Sequence, residues 1–130
     1  MNNAKGEFKI SIGYEDPYRA WEPGKLTRAG GDQEFSGAIS GKGHVEWLMC
    51  YGADGAAAYV GLQEIDGTLD GHTGAFVLSA TGHFDGKRSE GTWTVVPGSG
   101  RGELAGITGS GGFKAGPGPQ ATYQLSYELG

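Results

Sequence analysis

Apolar and polar residues alternate along most of this chain, and short glycine-bearing reversals separate the alternating runs. Period two is the spacing of a strand with one buried face, because successive side chains point to opposite sides of a sheet. In FKISIGY, Phe8, Ile10, Ile12 and Tyr14 share a face; in ATYQLSYEL, Ala121, Tyr123, Leu125, Tyr127 and Leu129 do. AFVLSATGHF and GTWTVV alternate similarly, and helical spacing is almost absent. Strands are expected at about 5–15, 25–39, 43–52, 56–68, 72–84, 87–96, 102–113 and 120–129. Such strands with turns at hairpin spacing point to one all-β sandwich or barrel domain over residues 1–130. EDPYRAWEPG interrupts the pattern with two prolines. It is expected to be irregular, either lidding one end or packing Tyr18 and Trp21 against the outer wall.

Asp-Gly pairs at 54–55, 66–67, 70–71 and 85–86 decide which side chains share a face, since two-residue hairpin turns favour that dipeptide. A turn at Asp85-Gly86 sets Phe84 against Lys87, Leu78 against Trp93 and Phe76 against Val95. A turn at Asp70-Gly71 pairs Ile65 with Phe76, Gln63 with Leu78, Gly61 with Ala80 and Tyr59 with Gly82. A turn at Asp66-Gly67 would keep Gln63 on the same face. A two-residue turn at Asp54-Gly55 sets His44 against Ile65, Glu46 against Gln63 and Cys50 against Tyr59. Trp47, Met49 and Tyr51 then face outward beside Val60 and Leu62, as a surface for another subunit. A three-residue loop with a bulge would instead turn Val45, Trp47 and Met49 inward.

The run VVPGSGRGELAGITGSGGF looks at first like a phosphate-binding loop. Gly98, Gly100 and Gly102 give G-x-G-x-G, however, and Glu103 stands where the dinucleotide fingerprint needs its last glycine. No helical pattern follows. The chain has 27 glycines, yet 11% of it is aromatic, so turns and close strand crossings explain them better than disorder. GTWTVVPGSGRGELAGITGSGGF resembles the strand–turn–strand signature of the allene oxide cyclase and dirigent barrel superfamily. With KLTRA, FSGAISGKGHVEWLMCY, YVGLQEIDG and GAFVLSATGHFDG, it is more closely similar to a bacterial family of small barrels of unknown function, over about residues 6–129. The resemblance implies an eight-stranded antiparallel β-barrel of the allene oxide cyclase/dirigent type, often oligomeric, with an internal small-molecule cavity. Those relatives steer ring closure or coupling of a confined substrate with neither metal nor organic cofactor. No catalytic residue is carried over from them.

On this reading the lumen holds Glu46 as general acid or base, with Gln63 orienting it or a substrate carbonyl. Burial would raise the Glu46 pKa towards neutrality. The alternative for Glu46 is a solvent-facing surface position. Tyr59, Trp93, Leu78 and Phe76 shape the walls, with Cys50 and His44 beside them. Cys50 has no base nearby and reads as a small apolar residue. Histidines at 44, 72 and 83 lack metal-ligand spacing, so neither metal nor cofactor is expected. The net charge of -5 and the scattered basic residues argue against nucleic acid, and no apolar run is long enough to span a membrane. One cysteine and no apolar leader suggest a cytoplasmic protein. The leading expectation is a homo-oligomeric, cofactor-independent isomerase or cyclase acting on a small apolar or aromatic molecule; the alternatives are a carrier and a structural oligomer. A filled lumen favours the structural protein, and an open one with Gln63 alone favours the carrier. An open lumen with Glu46 buried beside Gln63 favours the enzyme.

Overall fold

The alternating runs become strands throughout, in a computed structural model that describes all residues from Met1 to Gly130. They are β1 (Asn2–Trp21), β2 (Gly24–Gly37), β3 (Ile39–Tyr51), β4 (Ala57–Leu69), β5 (His72–Phe84), β6 (Ser89–Val95), β7 (Arg101–Gly102), β8 (Thr108–Ala115) and β9 (Gln120–Glu128). All pairings are antiparallel, in the order β4-β3-β2-β1-β9-β8-β6-β5-β7, and a further β4–β5 pairing closes the sheet into a ring. Only the two-residue β7 stands outside the ring, paired to Gly74 and Ala75 of β5. There is no helix, and so none long and apolar enough to cross a membrane.

A closed sheet has an inside, and the alternating apolar residues fill one half of it. Ile39, Ile65, Leu69, Phe76, Leu78, Trp93, Val95 and Leu125 are all buried. The β6–β8 connection plugs this end: Leu104 and Ile107 insert from it into the core, each 1% exposed. This is the role of the glycine-rich run. A Cβ on Gly100 would lie 2.0 Å from the Leu104 carbonyl oxygen, so only glycine allows the plug to fold back on itself. The expected strand at 102–113 is therefore split into β7, a turn and β8.

At the other end β1 and β2 run on together past the ring. β1 pairs with β9 only as far as Lys9, while its ladder with β2 continues to Trp21. The segment expected to be irregular is thus the outer part of a long hairpin. Pro17 is tolerated there because β1 has a free edge and a register shift follows between Pro17 and Arg19. Tyr18 and Trp21 are both about half exposed, and neither covers the ring's opening.

The plug makes a direct prediction. Leu104→Ala should lower the unfolding free energy in urea by roughly 2–5 kcal/mol, whereas Lys5→Ala at an exposed outer position should change it by under about 0.5 kcal/mol. Equal effects would contradict a packed end sealed by this loop.

Candidate functional site

Beyond the packed half, the ring is hollow. An aromatic group forms its floor: Trp93 lies 6.0 Å from Phe8, 5.6 Å from Phe113 and 5.9 Å from Tyr123, ring centre to ring centre. Tyr123 ties this floor to the β2–β3 turn, its hydroxyl accepting from Ile39 N at 2.8 Å and donating to Ser36 O at 2.9 Å. Above the floor opens a cavity of about 550 Å³ walled by Phe8, Ile10, Ile12, Ala29, Trp47, Met49, Tyr59, Phe84 and Phe113. That volume suits a small organic ligand.

Two glutamines meet inside. Gln63 Nε2 donates to Gln33 Oε1 at 3.0 Å, and both side chains are 2% exposed. They lie on β4 and β2, with β3 between them. The bridge is possible because Gly43, the β3 partner of Gln33, has no side chain: a Cβ there would sit 2.7 Å from Gln33 Oε1. Likewise a Cβ on Gly61 would lie 2.7 Å from Trp47 Cδ1, so this glycine lets Trp47 lie flat over β4 and meet Tyr59 edge to face. The Tyr59 hydroxyl is 2.6 Å from Ser89 Oγ, and burial pushes its pKa up.

Nearer the mouth sits a carboxylate that the sequence pattern hid. Between Ile12 and Tyr14 the β1–β2 register shifts by one residue, so Tyr14 turns outward and Glu15 inward. Glu15 Oε2 accepts from Thr27 Oγ1 at 2.8 Å and from the Tyr51 hydroxyl at 2.6 Å. Burial and this carboxylate push the Tyr51 pKa up, so Tyr51 keeps its proton.

The expected site residues are distributed between three places. Gln63 and Tyr59 face the cavity; Phe76, Leu78 and Trp93 belong to the packed half beneath it. His44, Glu46 and Cys50 stand on the outer face, because β3 and β4 are joined by the longer loop Gly52–Ala56. That loop closes with Gly52 N to Ala56 O at 2.9 Å and Ala56 N to Asp54 Oδ1 at 3.1 Å. The resulting pairs are Val45 with Gln63 and Glu46 with Leu62, one residue away from the two-residue-turn register. Trp47 and Met49 turn inward, and the apolar outer residues are Leu48, Val60 and Leu62. Gln33 takes the place expected for Glu46. Gln33 lies two residues from Phe35, which the structure buries, and period two puts both on one face.

Outside, Glu46 anchors a polar chain. Tyr14 donates to Glu46 Oε1, Arg28 Nη2 reaches the same oxygen at 3.1 Å, and His44 Nε2 lies 2.6 Å from Oε2. His44 Nδ1 is 2.9 Å from Asp32 Oδ1. Glu64, the cross-strand neighbour of His44, is engaged by Arg101. The Tyr14 and His44 hydrogen bonds hold the Glu46 pKa below 4.5, and those from Asp32 and Glu46 hold His44 above 6.5. At neutral pH Glu46 is thus an ionised surface anchor.

The sign of each shift sets a pH window. His44 contributes fully below pH 6.5 and less as pH rises through its folded value; Glu46 contributes fully above pH 4.5 and less as pH falls. His44→Gln should therefore destabilise most between pH 4.5 and 6.5 and progressively less at higher pH, read from urea midpoints. A pH-independent difference would contradict the bridge.

No curated protein matches the chain. Among solved structures, a protein of unknown function from the DUF3224 family of Shewanella oneidensis MR-1 matches with a TM-score of 0.81 and 29% identity. The match covers 100% of this chain and 98% of that one. A family model described as "Protein of unknown function (DUF3224)" matches residues 4–127, and the chain belongs to that family.

Proposed function

We propose that this protein is a small-molecule binding module that holds an apolar or aromatic ligand in the hollow half of its closed sheet. The observation that carries this reading is the cavity of about 550 Å³, walled by apolar side chains, with polar groups at only a few points. Pockets of this make-up use the walls for affinity and the polar points for orientation. We read the ring as a barrel of the allene oxide cyclase and dirigent kind. The closed antiparallel strand order and the internal cavity support that reading. The exposed Leu48, Val60 and Leu62 form the face on which a second copy would pack.

A second reading, a cofactor-independent isomerase or cyclase, is favoured by one observation. Glu15 places a carboxylate at the cavity mouth, oriented by Thr27 and Tyr51. In that reading the walls confine the substrate and Glu15 moves one proton.

The binding module is tested with the neutral dye N-phenyl-1-naphthylamine. Its fluorescence should rise on binding the native protein. Met49→Trp, which fills space at the cavity wall, should weaken binding by roughly tenfold or more. Equal binding to both proteins would place the dye elsewhere and remove the reading. Glu15→Gln should leave dye binding intact, and under the second reading should abolish any turnover found.

A further inference from the structure

The two buried glutamines say what kind of ligand the cavity suits, an inference that rests on the binding module proposed above. One hydrogen bond between two primary amides uses one NH₂ and one carbonyl. It leaves the other NH₂ and the other carbonyl free. Here those are Gln33 Nε2 and Gln63 Oε1, and neither has a hydrogen bond to any other protein group. Flipping both amides exchanges the labels but still leaves one donor and one acceptor, so the conclusion does not depend on how the amides are oriented. The free atoms are not sealed in the core. Trp93 Nε1 is the sole buried side-chain polar atom without a partner, whereas Gln33 and Gln63 line the cavity.

Such a pair asks for a particular counterpart. A buried polar atom left unpaired is costly, so a ligand group that supplies both a donor and an acceptor is favoured over an apolar one. No cationic side chain lies beside the pair; the charged residues lining this cavity are Glu15 and Lys87, with Glu15 near the mouth. An ionised group of either sign at this depth would lose its hydration with no counter-charge beside it. The group must therefore be neutral. The reach is also bounded. Glu15 pairs with Ala29, four residues along β2 from Gln33, which at the strand rise is about 13 Å.

We propose that the cavity selects a neutral primary carboxamide or lactam carried on an apolar body about 10 Å long. Its N–H and C=O dock on the Gln33–Gln63 pair, and its body lies along Ile10, Ile12, Trp47 and Met49 towards the mouth. The amide edge meets one acceptor and one donor on the protein, as it would in a second amide.

Displacement of N-phenyl-1-naphthylamine by matched probes tests this. Octanamide should displace the dye at a concentration roughly tenfold lower than N,N-dimethyloctanamide or methyl octanoate, which lack the N–H donor. In the double variant Gln33→Met/Gln63→Met, with dye binding as the check on folding, the three probes should compete equally. Should that variant fail to fold, the double variant Gln33→Leu/Gln63→Leu, which likewise removes both amides, serves for the same comparison. Equal competition in the native protein overturns the amide preference while leaving the binding module standing. A preference that survives loss of the glutamines overturns the role of the pair. No dye binding to the native protein removes the binding module itself, and this inference with it.

Discussion

The register between β3 and β4 is the constraint on which the rest depends. In a closed ring each strand is held on both sides, so one residue of slip would exchange the inner and outer faces of β3 together. His44 and Glu46 would enter the lumen, while Val45, Trp47 and Met49 would turn to water. Such a slip would break the Tyr14–Glu46–Arg28 contacts and bury a carboxylate, costing several kcal/mol. It would also expose Val45, which is 0% exposed in the native pairing. The same choice that packs the core therefore leaves Glu46 as a surface anchor and Gln63 as an interior group.

The division of the lumen into a solid and a hollow half follows from side-chain size. Below, Trp93, Phe8, Phe35 and Tyr123 fill the ring between the strands, and Leu104 and Ile107 close its end. Above, the inner positions of β2 pass from Phe35 to Gln33, Gly31 and Ala29, and the volume is not replaced. Glycines in the wall are part of this arrangement. Without a Cβ at Gly43 and Gly61, Gln33 and Trp47 can lean across the sheet, which draws polar and aromatic groups to the cavity's edge. The packed half is filled by side chains, and the hollow half is left open as the cavity.

Turn chemistry explains which parts of this were legible beforehand. At Asp70-Gly71 both residues adopt positive φ, 48° and 85°, and every pair expected between β4 and β5 is found. At Asp85-Gly86 the loop is longer, with the Asp85 carboxylate accepting from Lys87 N and Arg88 N, and Phe84 pairs with Ser89. The shift there is by two residues, which leaves the inner and outer faces as the two-residue turn would set them. At Asp54-Gly55 the five-residue loop shifts the register by one, and the face of Glu46 was inverted. Glu15 was hidden for a different reason. A bulge after Ile12 breaks the alternation at the point where prolines already argued against a strand. Local dipeptides reveal that a turn exists, but the parity of its length decides the face, and that parity depends on how the loop satisfies its own hydrogen bonds.

Thiol accessibility measures that parity directly. In a Cys50→Ser background, which removes the native exposed thiol, Val45→Cys and Glu46→Cys differ by one position on the same strand. The account predicts that a maleimide labels Glu46→Cys rapidly under native conditions, while Val45→Cys reacts only as the protein unfolds. Rapid labelling at position 45 with protection at position 46 would contradict it, and would put the carboxylate back inside the ring.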